Sequence, residues 1–274
     1  MTVKKIAFIG AGNMAKSLIG GMVANGYPAT AISASATTRT KLDALEQEFG
    51  IQTATDNDAL VAAADIIVLA VKPQIMADVC GAIAQHKANY QGKIFVSIAA
   101  GVTVARLQSF LASGQPIIRT MPNTPSLVQK GMTGLFASPE VTSTDKQIVD
   151  DIMQAVGQTA WVEQESDLNT IIAATGSSPA YFFLFMEAMQ ASVIKMGFDE
   201  QQARALVEQA ALGSAAMVLH NQDVDLETLR LNVTSKGGAT AEAIRVFEEQ
   251  DLANTVDQAM QAAVSRAEAM EKLF

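Results

Sequence analysis

The chain has 274 residues, a formal charge of −9 at pH 7, 49% hydrophobic residues and 17% charged ones. That length predicts two domains, at about 150 residues each, and the balance is that of a packed globular chain rather than a disordered one. One cysteine and two histidines argue against an internal disulfide, a cysteine cage or a histidine metal centre, and the acidity argues against a nucleic-acid partner.

The charge is uneven. Residues 1–160 carry 12 Lys and Arg against 11 Asp and Glu, and residues 161–274 carry 7 against 17. An anionic ligand is easier to place in the first part, or at a local main-chain site. The apolar run at 6–9 is too short for a signal peptide. The most apolar stretch, 171–186, is interrupted by Gly176, Ser177, Ser178 and Pro179 and falls short of a bilayer span of about 20 residues. A cytoplasmic protein is expected.

Strand-like runs lie at 5–9, 31–35, 66–71, 94–98 and 117–120, with helical patterns between them at 13–25, 38–49, 73–87 and 104–111. Gly26 and Gly50 fall where helix-ending glycines belong, and Pro73 suits a first helical turn. The alternation predicts an α/β class: an N-terminal, Rossmann-like, doubly wound parallel sheet with helices on both faces. The runs 66–71 and 94–99 are apolar almost throughout, as strands covered on both faces should be.

Gly10-Ala11-Gly12-Asn13-Met14-Ala15 follows the first strand and opens the first helix. It matches the dinucleotide pattern: Gly10 for the tight turn, Gly12 for close approach of a pyrophosphate, Ala15 for helix–strand packing. A glycine-rich turn without a ligand is the plainer alternative. The second strand runs into Ser33-Ala34-Ser35-Ala36-Thr37-Thr38-Arg39, with no acid before Asp43 to grip a ribose 2′-hydroxyl. Ser35 and Arg39 therefore suit a 2′-phosphate, and NADP is preferred over NAD; the alternative is that Arg39 lies on a solvated helix face. Ala70-Val71-Lys72-Pro73 ends a buried strand at the ligand-facing edge, where Lys72 either meets cofactor or reaches solvent. Ser97-Ile98-Ala99-Ala100-Gly101 ends the next strand, and its small residues leave room for a nicotinamide ring. The loop from Met121 through Pro122, Asn123, Thr124 and Pro125 is stiffened by two prolines and is either a wall of the site or an ordinary connection.

Past about Trp161 the strand-like runs stop. Helices are predicted at 179–196, 199–221, 226–231, 241–250 and 252–273, with a soft boundary in 162–167, so that residues 1–162 form the nucleotide-binding domain and 163–274 an all-α one. Tyr181, Phe182, Phe183 and Phe185 cover most of one helix, which favours a subunit interface over the plainer alternative, a monomeric helical bundle. Residues 176–179 read as an N-cap and first turn. Thr234-Ser235-Lys236-Gly237-Gly238-Ala239-Thr240 precedes a helix, where free N–H groups and hydroxyls suit a carboxylate or serve only as a cap.

Together these segments resemble pyrroline-5-carboxylate reductases over nearly the whole chain: the motif from Phe8 to Ala15, Ala70 to Pro73, Ser97 to Gly101, Met121 to Pro125, Gly176 to Tyr181, and Val233 to Thr240. Lys236 stands where the family has proline, which bears on the rigidity of that loop. The resemblance implies NAD(P)H-dependent reduction of 1-pyrroline-5-carboxylate to L-proline, with NADPH or NADH as cofactor and no metal. It implies a helical dimerisation domain and homodimers assembled into a ring. On that basis the cofactor contacts are Gly10 to Ala15, Ser35, Arg39, Ala70, Val71, Lys72, Pro73, Ala99, Ala100, Gly101 and Asn232. The substrate contacts are Met121, Asn123, Ser177, Ser235, Gly237, Gly238, Ala239 and Thr240, and Thr240 is the candidate proton donor. The competing class is a 3-hydroxy-acid dehydrogenase of similar plan. Such enzymes need a general-base lysine early in the first long helix of the second domain, and residues 179–189 hold no lysine.

Overall fold

The computed structural model describes residues 3–274. Its strands are β1 (Ile6–Ile9), β2 (Ile32–Ser35), β3 (Gln52–Ala54), β4 (Ile66–Leu69), β5 (Ile94–Ser97), β6 (Ile117–Met121), β7 (Gly131–Ala137) and β8 (Gly157–Trp161). They form one sheet in the order β3-β2-β1-β4-β5-β6-β7-β8. Strands β1 to β6 run parallel, with Ile6 opposite Ile32 on one side and Ile66 on the other. The order in which strands are added reverses between β1 and β4, so the cleft at this switch lies at the carboxyl ends of β1 and β4, where such sheets bind ligands.

The expectation of a wholly parallel sheet is corrected at one edge. β7 pairs antiparallel with β6, Arg119 opposite Phe136, and β8 then runs parallel to β7. Only residues 122–130 join β6 to β7, too few for the crossover that a parallel partner needs. They form a tight turn of 3-10 helix at Thr124–Val128.

Helices α1 (Asn13–Ala24), α2 (Arg39–Phe49), α3 (Asn57–Ala63), α4 (Met76–Ala84), α5 (Val104–Phe110) and α6 (Ser143–Gln154) cover the sheet. Side chains alternate across each strand, so two cores form. Ile6, Phe8, Ile66 and Val68 pack with Leu18, Ile19, Met22 and Val149 on one face. Ala7, Ile9, Ile67, Leu69 and Phe95 pack with Val61, Cys80, Ile83 and Leu107 on the other. The long helix expected at 73–87 is shorter: Pro73–Ile75 is a 3-10 turn, and α4 follows it.

Beyond the sheet the chain is helical: α7 (Asp167–Ile171), α8 (Ser178–Lys195), α9 (Glu200–His220), α10 (Leu226–Asn232), α11 (Ala239–Glu249) and α12 (Leu252–Glu271). Between α7 and α8, Ile172–Gly176 winds as a π-turn, and the Ser177 N–H donates to the Ile172 carbonyl five residues back at 2.8 Å. The N-cap expected at 176–179 is therefore overturned, because Ser177 has helical angles (φ −93°, ψ −25°). Pro179 can enter a continuous helix because the wide turn accommodates a residue with no N–H to give.

Two compact units result: the chain up to Ser177 together with Ala262–Phe274, and Ser178–Gln261. Residues 163–177 and the end of α12 thus pack with the sheet. Among the described residues no helix is long and apolar enough to cross a membrane.

Candidate functional site

In the first unit, a cleft of about 270 Å³ opens at the switch point. Its walls come from the turn after β1 (Gly10, Ala11, Gly12), the turn after β2 (Ser35, Ala36, Thr37, Thr38) and the turn after β4 (Ala70, Val71, Lys72), with Lys41, Thr55 and Asn57 beside them. Gly10 has φ +112°, and a Cβ there would stand 2.5 Å from the Ala70 carbonyl oxygen, so only glycine lets the first turn lie against the third. Gly12 is the opposite case. A Cβ there would meet nothing within 4 Å, so its side faces open space at the mouth of α1. Gly12 caps α1 with extended angles and without a side-chain bond. The first N–H groups of the helix therefore point outward with the positive end of its dipole, the arrangement that holds a pyrophosphate. These residues fit a dinucleotide. Asn13, Met14 and Ala15 form the first turn of α1, with Ala15 buried against the sheet.

At the β2 end, Ser35 Oγ donates to Asn57 Oδ1 at 2.6 Å. Arg39 does not line the cleft. Its guanidinium is paired along its own helix, 2.7 Å from Asp43 and 3.0 Å from Glu46. Lys41 is the cation on the cleft wall at this end, with Lys72 on the wall formed by the turn after β4. The sequence reading passed over Lys41, although Thr37, Thr38 and Lys41 form the polar run that a phosphate pocket requires. Asn57 and Thr55 were also missed; they sit around Asp56, whose carboxylate caps α3 by accepting from the Asp58 N–H.

Met121 ends β6 and is buried. Asn123 is buried as well, and both ends of its amide are engaged: Nδ2 donates to the Thr175 carbonyl and Oδ1 accepts from the Met132 N–H, each at 2.9 Å. That amide ties the proline-stiffened loop to the π-turn ahead of Ser177.

In the second unit, Ser235, Lys236, Gly237 and Gly238 form a tight turn. The Gly238 N–H donates to the Ser235 carbonyl at 3.0 Å, and Gly237 takes φ +73°. A positive φ at the third position marks a type II turn, in which proline is favoured at the second position. Lys236 occupies that position, and the turn forms with lysine in it. A Cβ at Gly238 would stand 2.6 Å from Ser235 Oγ, so the hydroxyl lies over the helix entrance. Gly238 caps α11, and Ala239 and Thr240 lie inside its first turn instead of before it. Asn232 is the last residue of α10. Ser235, Gly237 and Thr240 are exposed within the protomer, and this cluster presents N–H groups and hydroxyls in the manner of a carboxylate site. Among the described residues no group of three or more His, Cys, Asp or Glu is placed to hold a metal ion.

A nucleotide cleft at the switch point of the sheet, followed by a helical half with many exposed apolar side chains, defines an NAD(P)-binding oxidoreductase with a dimerisation domain. Residues 165–270 match the family model "Pyrroline-5-carboxylate reductase dimerisation", and residues 5–101 match "NADP oxidoreductase coenzyme F420-dependent". A pyrroline-5-carboxylate reductase from Vibrio alginolyticus is 56% identical over 274 residues, with 100% of each chain covered. Among solved structures, a pyrroline-5-carboxylate reductase from Coxiella burnetii superposes with a TM-score of 0.89 at 39% identity, covering 98% of this chain and 99% of that one. A pyrroline carboxylate reductase from Plasmodium falciparum, with NADP bound, gives 0.88 at 29% identity and 99% coverage of both. The chain belongs to the pyrroline-5-carboxylate reductase family.

Proposed function

We propose that the chain reduces 1-pyrroline-5-carboxylate to L-proline, the last step of proline synthesis, using NADPH in preference to NADH, in the cytoplasm. The full-length likeness to the family carries the reading. Residues 1–162 act as the nucleotide-binding domain, and residues 163–274 act in dimerisation and substrate binding. The homodimers assemble further into a ring.

Gly10 to Ala15 take the pyrophosphate on the first turn of α1. Ser35 serves the adenosine end, and the absence of an acid between residues 33 and 42 supports NADP. Lys41 adds to that preference as a cation on the cleft wall near the β2 end. Ala70, Val71, Lys72 and Pro73, then Ala99, Ala100 and Gly101, and Asn232 complete the cofactor contacts. When bound, the cofactor supplies a hydride from nicotinamide C4. The substrate carboxylate rests on the N–H groups and hydroxyls of Ser235, Gly237, Gly238, Ala239 and Thr240, where the dipole of an eleven-residue helix favours an anion. Met121, Asn123 and Ser177 bound the ring.

Reduction of a C=N bond needs a hydride at carbon and a proton at nitrogen. A cyclic imine is basic enough for solvent to protonate a fraction of it before the hydride arrives, so the protein needs no strong acid. Its task is orientation and exclusion of water, and for imine that arrives unprotonated the neutral Thr240 hydroxyl relays one proton from solvent to the nitrogen, taking a proton from water as it gives its own. With Thr240→Ala, turnover should fall by about 10²–10⁴-fold; turnover within a few-fold of the parent would remove Thr240 from that role. The deciding assay follows NADPH absorbance with pyrroline-5-carboxylate, and NADP⁺ with 3-hydroxyisobutyrate. Oxidation of NADPH with the imine alone is expected. Activity only with the hydroxy acid would replace this reading by the dehydrogenase.

A further inference from the structure

We propose that the end of α12 is a positioning element for Ala99, Ala100 and Gly101, the segment after β5 that the functional reading assigns to the nicotinamide side of the cofactor; the proposal rests on that assignment. The contacts lie within the first unit. Gly101 has φ +78°, and a Cβ there would stand 2.7 Å from the Cβ of Met270, so the main chain of this segment lies directly against the last turn of α12. Phe274 packs on the core that includes Ala99, Val102, Val104 and Leu107. Arg106 Nε, one turn into α5, donates to the main-chain oxygen of Phe274 at 2.5 Å.

A buried ionic network fastens the same segment from behind. Arg119 on β6 is 1% exposed, and its Nη1 donates to Glu165 at 2.6 Å and to Glu271 of α12 at 3.3 Å. Glu165 also accepts from the Val104 N–H at 2.7 Å, at the entrance to α5. Arg119 Nε and Nη2 make no hydrogen bond among the described residues, so the buried charge depends on these two carboxylates. Gly101 and Val104 are thus held at both ends of a four-residue stretch, and α12 supplies one of the two holds. A helix end kept only for stability could dock anywhere on this face of the sheet. This one docks on the segment that leaves the ligand-facing edge beside Ala70.

The role is positioning, because Glu271 and Phe274 act through Gly101 and Arg119. Glu271→Ala, Glu271→Gln and Phe274→Ala are titrated with NADPH and with 2′,5′-ADP, which lacks the nicotinamide half, by fluorescence and without substrate. Glu271→Ala should weaken NADPH by about tenfold, while 2′,5′-ADP, held at the distant β2 end, stays within about twofold. Glu271→Gln keeps an acceptor oxygen and should restore most of the loss. Phe274→Ala leaves both carboxylates on Arg119 and should reproduce the selective loss even where Glu271→Ala folds poorly. Unchanged NADPH affinity in both alanine variants, or equal weakening of both ligands, overturns the proposal. Wild-type protein that binds NADPH without reducing the imine would overturn the functional reading, and the ratio of the two ligands would still decide this one.

Discussion

Two glycines two positions apart do different work, and substitution separates them. At Gly10 a methyl group would overlap the Ala70 carbonyl, and the backbone is at φ +112°. Gly10→Ala should therefore strain the fold by about 1–3 kcal/mol as well as abolish cofactor binding. At Gly12 the methyl group meets only open space. Gly12→Ala should cost less than about 1 kcal/mol of stability yet still block the pyrophosphate. Denaturant midpoints and NADPH titration of the two variants check the contrast; equal loss of stability in both would contradict it. Cys80 offers a pH prediction. It is buried in the second core, and burial pushes its thiol from 9.0 up to about 12. The folded state then holds the proton more tightly than the unfolded one, so the stabilisation is complete below about pH 9 and is lost as pH rises toward 12. Tyr27 and Tyr90, also raised by burial, act in the same direction. The unfolding midpoint should fall between about pH 9 and 11, less steeply in Cys80→Ala, and a thiol reagent at pH 8 should label the protein only in denaturant.

The turn before α11 shows how an element constrains a residue that departs from the family pattern. Lys236 sits at the second position of a type II turn, where φ near −65° is wanted and where no main-chain bond of the turn uses its N–H. Lys236→Pro should therefore stabilise by about 0.4–1 kcal/mol through the unfolded chain, read as a higher urea midpoint with unchanged turnover. A lower midpoint would show that the turn needs lysine for another reason. Elements of this kind were legible when local chemistry alone decided them. Five of the six strands β1 to β6, α1 and the glycine turn follow from apolar runs and punctuation. β7 was not legible, because Gly131 and Gly134 dilute its strand pattern and its direction is set by the short link from β6. Gly134 is required by packing instead: a Cβ there would stand 2.6 Å from Ile171 of α7. β3 has three residues and α3 seven, below the length at which periodicity speaks. Arg39 read as a phosphate ligand because Asp43 and Glu46, which hold it, lie one and two turns along a helix whose facing residues sequence alone does not rank. The engagement of Asn123 with Thr175 spans 52 positions and has no local signature.

At the scale of the whole molecule, the second unit carries apolar surface that a protomer cannot bury alone. Phe182, Phe183, Leu184 and Phe185 are consecutive on α8 and are 68%, 63%, 67% and 46% exposed. At 100° per residue four consecutive side chains sweep about 300° of the helix, so no flat surface could cover them. Leu212, Met217 and Leu219 on α9 and Val246 on α11 are exposed as well. A partner that covers such a helix must enclose it, which calls for interlocked helices and an obligate interface of more than about 2,000 Å². The match of residues 165–270 to a dimerisation family supports a second copy of the chain as that partner. Because an obligate dimer has no stable folded monomer, thermal stability should rise with protein concentration, and light scattering should detect no species of 28.9 kDa in native buffer. Replacing Phe182 and Phe183 with glutamate places charge on two sides of α8, 100° apart, so the dimer cannot slide to relieve both. That variant should accumulate as unfolded or aggregated chain while cofactor binding to any folded fraction weakens. A monodisperse, fully folded monomer from either the wild type or the double variant would show that the helices of the second unit sustain themselves, and the enclosing interface would have to be abandoned.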